Sequence, residues 1–488
     1  MTLAIGSFQN YVGGKWCNSE TGEWTEQINP ATGEVVSRVQ KSSPKDAAEA
    51  AAVAAEAFRK QDWAFNPRKR SAALFKWAAK MKEHREELAR MLTLETGKPI
   101  REARGELLGA IGYMEYYASA ARTLYGTTNA VDQYTLSVLS REPVGVVAVI
   151  VPWNYPVTLL MRDLAPALAA GNATVIKPAR QTSGVTMACI NLMTDIEEFP
   201  PGIVNIITGN GGTTGMQLTR EKTVDMVQFT GSSDTGKIIM AEAAKTMKKV
   251  SLELGGKSAS IIFEDADLNK AIPYAISSIF TNAGQLCTSA SRLLVHESIA
   301  DFVKEELKKR AESLKVGNGL DESTEMGAIT IESQMNSILE YIEIGKRDGK
   351  ILTGGRRLTE GDLGKGFFVA PTIITDLPCD SPVVQEEIFG PVLVLQTFKD
   401  EDEAVEMANG TAFGLASGVW SQDIDRAMRV ARKMRAGTAW VNTYNRLLNE
   451  CETGGYKESG IGRSGGTEGL HKFTEVKHIC IDFSPKTK

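Results

Sequence analysis

A cysteine and a glutamate in two glycine-containing runs have the residue types needed for covalent catalysis on a carbonyl carbon. Cys287 ends the run Asn-Ala-Gly-Gln-Leu-Cys at 282–287, and Glu253 begins the run Glu-Leu-Gly-Gly-Lys at 253–257. A thiol adds readily to a carbonyl carbon, and a separate carboxylate can later activate the water that cleaves the resulting thioester. The small and polar residues around Cys287 indicate a tight loop rather than an apolar core position. We therefore interpret Cys287 as a candidate nucleophile and Glu253 as a candidate base.

Length and composition limit the class of protein. The chain has 488 residues, of which 42% are hydrophobic and 24% are charged, and its net charge is -5. These values are typical of a globular protein with two or three domains, each able to bury its own core. A slightly acidic chain offers no broad basic surface to nucleic acid, so we expect small molecules as partners.

The cysteines, histidines and apolar runs argue against several other classes. Six scattered cysteines without a C-x-x-C pair argue against a disulfide scaffold and favour the reducing cytoplasm. The chain does not begin with a basic segment followed by an apolar core, and no apolar run approaches the roughly 20 residues that span a bilayer. Four histidines show no ligand spacing, so we expect no metal site.

The hydrophobic pattern predicts an α/β fold with parallel strands. Residues 45–120 have apolar positions at helical spacing, and the apolar run at 144–151 is typical of a strand buried on both faces. Further β-branched runs follow, with helical stretches between them, at 173–177, 204–208, 226–230 and 249–252. This alternation predicts a Rossmann-like sheet.

Four polar residues come directly after predicted strands of this sheet: Asn154, Lys177, Ser232 and Glu253. Parallel sheets bind ligands in the crevice beyond the carboxyl ends of their strands, so we expect these side chains to share one location. The alternation restarts after residue 256, which predicts a second α/β unit that contains Cys287. The chemistry would then lie between the two units, where ligand clefts commonly form.

Several short motifs resemble those of the NAD(P)-dependent aldehyde dehydrogenase superfamily, and the resemblance covers nearly the whole chain. The loop Phe-Thr-Asn-Ala-Gly-Gln-Leu-Cys-Thr at 280–288 and the run Leu-Glu-Leu-Gly-Gly-Lys at 252–257 are the most specific of them. Other matches occur in the family's order: Pro-Trp-Asn-Tyr-Pro at 152–156, Lys-Pro-Ala at 177–179, Phe-Thr-Gly-Ser at 229–232 and Glu-Glu-Ile-Phe-Gly-Pro at 386–391.

The resemblance implies a cofactor domain, a catalytic domain and a small β element. The cofactor domain would comprise residues 1–122 and 143–255, and the thiol-bearing domain residues 256–455. Residues 123–142 and 468–488 would form a β element that assembles a homodimer or homotetramer. Ordinary edge strands remain an equal alternative for these two segments.

The resemblance also assigns catalytic residues. Cys287 would attack the aldehyde, while the Asn154 amide and the Cys287 backbone N–H would hold the oxyanion that forms. The thiohemiacetal would pass hydride to the nicotinamide, and Glu253 would activate water against the thioester. Because all three residues are present, a non-catalytic structural homologue is a distant alternative.

For the cofactor, the resemblance favours the turn at Gly231 and Ser232 over the glycine-rich run at 209–215, which departs from the dinucleotide fingerprint. Lys177 would bind the adenosine ribose and Glu387 the nicotinamide ribose. Trp153 and Phe389 would line the nicotinamide site.

Arg180 is a departure that bears on the choice of cofactor. Members that prefer NAD commonly have a glutamate three residues after the lysine, and this chain has Arg180 there. A guanidinium can pair with a 2′-phosphate, so we expect NADP or NAD, with NADP favoured.

The helix after Asn154 lines the substrate tunnel in this family, which makes Tyr155 and Arg162 candidate substrate residues. Arginine at position 162 resembles succinate-semialdehyde and lactaldehyde dehydrogenases and favours a small anionic or polar aldehyde. A second arginine found in many semialdehyde enzymes is replaced by Thr281, and Arg446 in a late loop is a candidate substitute. The alternative is a betaine-aldehyde or aminoaldehyde dehydrogenase, in which Glu450 and Glu452 of that loop would attract the cation.

Overall fold

The computed structural model describes residues 6–485. Residues 1–5 of the expected cofactor domain and residues 486–488 of the expected β element lie outside the described residues. The strands of the described chain, numbered in order, are β1 (Ser7–Phe8), β2 (Asn10–Val12), β3 (Lys15–Cys17), β4 (Trp24–Ile28), β5 (Val35–Gln40), β6 (Thr127–Ala130), β7 (Thr135–Pro143), β8 (Val146–Ile150), β9 (Ala173–Lys177), β10 (Val204–Ile206), β11 (Met226–Thr230), β12 (Lys249–Glu253), β13 (Ala259–Ile262), β14 (Arg292–His296), β15 (Lys350–Thr353), β16 (Thr372–Thr375), β17 (Val392–Phe398), β18 (Phe413–Gly414), β19 (Ala416–Trp420), β20 (Thr438–Val441), β21 (Tyr456–Lys457), β22 (Gly460–Ile461) and β23 (Thr474–Asp482).

The α-helices of the described chain pack around and between these strands. They are α1 (Pro44–Lys60), α2 (Pro67–Glu83), α3 (Arg85–Thr96), α4 (Ile100–Ala120), α5 (Pro156–Ala170), α6 (Ser183–Asn191), α7 (Met216–Arg220), α8 (Ser233–Ala244), α9 (Leu268–Phe280), α10 (Ala300–Ser313), α11 (Glu332–Asp348), α12 (Pro382–Gln385), α13 (Glu401–Asn409), α14 (Ile424–Lys433) and α15 (Gly466–His471). The expected mixed α/β fold with parallel sheets is confirmed.

The first sheet has the strand order β22-β12-β11-β8-β9-β10-β2-β3. Strands β8 to β12 run parallel, and every residue of β8, β9 and β11 is buried, because helices cover both faces of the sheet. The chain proceeds from β8 to β10 on one side and then returns to place β11 on the other side of β8. Ligands of parallel sheets bind at such a reversal of strand order, here beyond the carboxyl ends of β8 and β11.

The second sheet has the order β15-β16-β17-β14-β13-β19-β20 and its own hydrophobic core. Its central strands β13, β14, β17 and β19 are parallel. Helix α9 leads from β13 toward the loop that contains Cys287, which joins β14. The nucleophile loop therefore belongs to the second sheet and faces the ligand edge of the first.

A separate three-stranded sheet has the order β23-β7-β6. Strand β23 pairs with β7 over nine residues, from Thr474 opposite Pro143 to Asp482 opposite Thr135. Ile479 and Ile481 lie opposite Val138 and Leu136, so one face of this sheet is apolar and exposed at this end, whereas the other end of the same face carries Glu475 and Lys477. Elsewhere, none of the described helices is both long and apolar enough to cross a membrane.

Candidate active site

Two cavities meet at Cys287. The first, here called the cleft, has a volume of about 280 Å³ and is lined by residues that follow β8, β11 and β12. The second, here called the tunnel, has a volume of about 390 Å³ and lies between α4, α5 and the loop after β20. Asn154, Glu253 and Cys287 line both cavities. The three expected catalytic residues therefore lie where a molecule in the cleft and a molecule in the tunnel would meet.

The loop before Cys287 has a backbone conformation that few sequences tolerate. Asn282, Ala283 and Gly284 have φ values of 50°, 51° and 75°, so three consecutive residues are in the left-handed region. Strained backbone of this kind clusters at functional sites. A Cβ on Gly284 would lie 2.0 Å from the carbonyl oxygen of Gly390, which leaves room only for glycine. The loop holds Cys287 against both cavities.

The environment of Cys287 disfavours its thiolate. Burial raises the pKa of the thiol to about 12, and the carboxylates of Glu387 and Glu253 add to the rise, against the opposing charge of Arg162. The thiol is therefore protonated at neutral pH in the free enzyme. A carboxylate that accepts its proton, or a positive charge brought into the cleft, would be needed to activate it.

Asn154 is positioned with its amide at the junction of the cavities. The residue is 3% exposed, and its Nδ2 donates to the carbonyl of Gln285 at 3.0 Å. An amide nitrogen has two protons, so one remains available for an oxyanion that forms on the carbon attacked by Cys287. This placement fits the expected role in the oxyanion hole.

Glu253 ends strand β12 and is 5% exposed. Its Oε1 has no hydrogen-bond partner among the described residues, which is rare for a buried carboxylate. Burial raises the pKa of Glu253, against the opposing charges of Arg162 and Lys472. An unpartnered carboxylate oxygen with a raised pKa at both cavities is suited to accept a proton from water.

The residues expected to bind the nicotinamide half of the cofactor all line the cleft. The rings of Trp153 and Phe389 meet edge to face with centroids 5.3 Å apart. Glu387 accepts from the backbone N–H of Gly256 at 3.0 Å, and burial raises the pKa of its carboxyl to about 7. A Cβ on Gly255 would lie 2.1 Å from the carboxylate of Glu387. The absence of a side chain at Gly255 therefore makes room for this carboxylate.

The other end of the cleft offers an anion site. Gly231 and Ser232 join β11 to helix α8, and Ser232 caps that helix by accepting from the N–H of Thr235 at 3.4 Å. Free N–H groups at a helix start bind pyrophosphate well. The Glu387 carboxylate for ribose hydroxyls and a helix start for phosphates fit a nicotinamide dinucleotide, which would supply the hydride acceptor.

Lys177 is the last residue of β9, the strand beside β8 in the first sheet, and Arg180 follows three residues later. Lys177 is buried, its Nζ donates to the carbonyl of Pro178 at 3.0 Å, and burial together with the charge of Arg180 lowers its pKa to about 8. Arg180 is exposed at the start of a helical turn. Neither residue lines the cleft. Both lie close to the end of β8, which is followed by the cleft residues Pro152, Trp153 and Asn154.

Arg162 lines the tunnel, but its guanidinium is occupied. Its Nη2 donates to Asp163 at 2.9 Å and to the hydroxyl of Thr230 at 2.8 Å. Burial opposes the charge, yet the Asp163 and Glu253 carboxylates raise the pKa of Arg162 above its ordinary value. Asp163 also contacts Ser464 and Lys472, so Arg162 belongs to a buried charge network.

The three charged residues proposed from the late loop lie elsewhere. Asn445 and Leu447 line the tunnel. Arg446, between them, is not among the described residues of the tunnel wall, and it is exposed. Glu452 accepts from the N–H groups of Thr467 and Glu468 and so caps α15. Glu450 is exposed and does not line the tunnel either.

The tunnel wall contains residues that the sequence did not single out: Glu102, Glu106, Tyr113 and Tyr444, beside the expected Tyr155 and the position of Thr281. The first three lie on α4. A signal was present, because Glu102, Gly105, Glu106 and Gly109 form one stripe at helical spacing where a buried helix would have large apolar residues.

A thiol between a cleft that fits a nicotinamide dinucleotide and a second cavity fits the class of cofactor-dependent oxidoreductases with a cysteine nucleophile. The chain belongs to the aldehyde dehydrogenase family, which matches residues 16–479. The expected family and enzyme class are thus confirmed.

Relatives of known sequence and structure agree. The betaine aldehyde dehydrogenase of Bacillus subtilis is 40% identical over 478 residues, which is 97% of each chain. A second Bacillus subtilis protein, DhaS, whose name places it only among aldehyde dehydrogenases, is also 40% identical, over 99% of this chain and 97% of its own. The crystal structure of Staphylococcus aureus betaine aldehyde dehydrogenase in complex with NAD+ has a TM-score of 0.96 and 38% identity, covering 98% of this chain and 96% of the other.

Proposed function

We propose that this enzyme oxidises a small aldehyde with a cationic tail, of the betaine-aldehyde or aminoaldehyde class, to the corresponding carboxylate. The ion pair of Arg162 with Asp163, at 2.9 Å, is the observation on which the proposal depends. An arginine already paired with a carboxylate has little attraction left for a second one. The pair thus removes the reason to favour a semialdehyde.

The rest of the tunnel wall favours a cation. Glu102 contributes a carboxylate that has no cationic partner within ion-pair distance in the described residues, whereas Glu106 is paired with Lys98. Tyr113, Tyr155 and Tyr444 add aromatic rings, which attract alkylammonium groups through their faces. One face of Tyr155 is already covered by Lys98, 3.8 Å from the ring centroid.

Similarity to named relatives supports the same class. Two of the relatives described above are betaine aldehyde dehydrogenases from different bacteria. Arg162 stands in the tunnel wall where an aromatic ring would suit a quaternary ammonium better, which keeps aminoaldehydes in the proposal beside betaine aldehyde.

The test is a panel of four aldehydes that differ in the charge of the tail: betaine aldehyde, aminobutyraldehyde, succinate semialdehyde and uncharged propionaldehyde. We expect kcat/KM for a cationic aldehyde to exceed that for succinate semialdehyde by at least about tenfold, which corresponds to about 1.4 kcal/mol. A preference for the semialdehyde would mean that Arg162 leaves Asp163 to bind the substrate.

For the cofactor, we propose that the enzyme uses both NAD and NADP and that Arg180 favours NADP. The exposed guanidinium lies three residues after Lys177, next to the strand end at which the adenosine ribose would bind. A 2′-phosphate can form charge-assisted hydrogen bonds with it. The Staphylococcus aureus relative is in complex with NAD+, which supports keeping NAD in the proposal beside NADP.

We propose further that the enzyme is a homodimer or homotetramer joined through the β23-β7-β6 sheet. Its apolar face includes Ile479 and Ile481, which are 44% and 37% exposed. Exposed apolar patches on an ordered sheet commonly mark contact with another chain.

The six free thiols, among them the exposed Cys379, Cys451 and Cys480, support a reducing compartment such as the cytoplasm.

A further inference from the structure

A buried ion pair lies directly beneath the turn that presents Asn154. Lys98 follows α3, Glu106 lies on α4, and their side chains are both 0% exposed with Nζ and Oε2 2.5 Å apart. Neither residue belongs to a motif that carried the family resemblance. Buried ion pairs seldom repay the cost of removing both charges from water, so the position of this pair calls for another explanation.

Both members of the pair hold the backbone that follows the Asn154 side chain. Lys98 Nζ donates to the backbone carbonyl of Asn154 at 2.7 Å. Glu106 Oε1 accepts from the N–H groups of Val157 and Thr158, at 3.0 and 3.2 Å, which are in the first turn of α5. The turn at 152–156 is therefore fixed at its asparagine and at its exit.

The nucleophile loop is tied to the same point. Asn282 Nδ2 donates to the carbonyl of Asn154 at 3.2 Å, so this carbonyl accepts from both Lys98 and Asn282. The N–H of Asn282 in turn donates to Glu102, one helical turn before Glu106 on α4, at 2.8 Å. Helix α4 thus sets the relative position of the loop with Cys287 and the turn with Asn154.

We propose that Lys98 and Glu106 are positioning residues that hold the Asn154 amide where the oxyanion develops. Neither side chain needs to touch the substrate, because each acts through the backbone that carries Asn154. The proposal depends on the enzyme class and not on the charge of the substrate tail. An oxyanion donor must be preorganised to lower the barrier, and a misplacement of about 1 Å can cost on the order of a hundredfold in rate.

The test replaces the pair by groups of similar shape without net charge, in the double variant Lys98→Met/Glu106→Gln. The amide oxygen of the introduced glutamine would accept from the Val157 N–H as the carboxylate does, which limits the loss of stability, while the contact of Lys98 with the Asn154 carbonyl disappears. We expect kcat to fall about tenfold to a hundredfold with propionaldehyde, and the Kd of the cofactor, measured by fluorescence, to change less than about twofold.

A merely structural role is distinguished by a cycle with Asn154→Ala. If the pair acts through Asn154, then adding the Lys98→Met/Glu106→Gln change to Asn154→Ala should lower kcat by less than about twofold more. Multiplicative losses in the cycle, or a double variant with kcat within about twofold of the parent enzyme, would overturn the proposal.

Glu95→Gln is the matched control. Glu95 is a buried glutamate on α3 that accepts from the Val185 N–H and the Ser37 hydroxyl, and it lines neither cavity. Its variant should lower Tm without changing kcat. An equal loss of kcat in Glu95→Gln and in Lys98→Met/Glu106→Gln would also count against a positioning role.

Discussion

Arg162 and Asp163 are neighbours in the chain and form a buried ion pair, with Nη2 and Oδ2 2.9 Å apart. The pair lies in the wall of the tunnel, close to Glu253 and to the buried Lys472. Asp163 thus occupies the guanidinium that the sequence presents as a free cation, and it also accepts from Lys472 at 3.4 Å. Among the described residues of the tunnel wall, the carboxylates of Glu102 and Glu253 have no ion-pair partner.

The first prediction concerns Glu102 and pH. Burial raises the pKa of Glu102 to about 7, so this carboxyl is neutral below pH 7 and charged above it. For a quaternary ammonium aldehyde, whose own charge does not change, KM should therefore fall as the pH rises from about 6 to about 8. Glu387 titrates in the same range, so propionaldehyde at saturating cofactor is the reference series.

Glu102→Gln should abolish that pH dependence. The amide oxygen keeps an acceptor for the Asn282 N–H, but the charge is removed. We expect kcat/KM for the cationic aldehyde to fall about tenfold and that for propionaldehyde to change little. An equal fall for both substrates would show that Glu102 serves the nucleophile loop alone.

The second prediction is that Glu253→Gln separates the two halves of the reaction. Without a base, water should not cleave the thioester, so steady-state turnover should fall by about 10² to 10⁴. Hydride transfer does not need this base, so a single burst of reduced cofactor, close to one per active site, should persist in stopped-flow absorbance. Loss of the burst together with turnover would mean that Glu253 also activates the Cys287 thiol.

The third prediction concerns Arg180→Glu. The substituted carboxylate would repel a 2′-phosphate and accept from a ribose 2′-hydroxyl, so the preference should move toward NAD. We expect kcat/KM for NADP to fall at least about tenfold, with a smaller change or a gain for NAD. An unchanged ratio of the two cofactors would place the guanidinium in solvent.

The fourth prediction tests the assembly. Ile481→Asp puts a charge on the apolar face of the β23-β7-β6 sheet and should lower the mass measured by light scattering to that of a smaller species. Cys480→Asp is the matched control, because residue 480 lies on the opposite face of the same strand. If both variants keep the parent mass, this sheet is not the interface.

The fifth prediction concerns Gly284→Ala. The added Cβ would meet the Gly390 carbonyl at 2.0 Å, in a residue with a φ of 75°, so the loop must shift. We expect turnover to fall at least about a hundredfold, because the thiol leaves its position beside Asn154. Gly211→Ala, at a glycine whose Cβ would meet no atom within 4 Å, should keep full activity.

The sequence was sufficient to predict the sheets and the edge at which the candidate catalytic residues lie, because both are encoded locally. Fully buried parallel strands require β-branched runs, as at Ala173–Lys177 and Met226–Thr230, and polar residues after such runs must lie at one edge of the sheet. The placement of Asn154 and Glu253 at that edge follows from those two facts, and the motif around Cys287 adds the thiol.

The electrostatic partners could not be predicted in the same way. Adjacent helical residues point about 100° apart, so an ion pair between Arg162 and Asp163 is not expected from spacing alone. The contacts of Glu106 join residues about 50 positions apart, and its spacing from Glu102 is equally typical of a solvated helix face. Arg446 was a reasonable candidate by sequence, yet only the path of the backbone decides which side of a loop faces a tunnel.

Strand β22 has a consequence for how the enzyme becomes active during synthesis. Gly460 pairs with Glu253 and Ile461 with Leu252, so the strand beside the catalytic base comes from residues near the end of the chain. A nascent chain that ends after the second sheet has the base on an open strand edge, with unpaired backbone groups beside it. The strand edge that carries Glu253 is therefore closed only after residue 460 has been synthesised, and a chain truncated before residue 460 should be inactive even though Asn154, Glu253 and Cys287 are present.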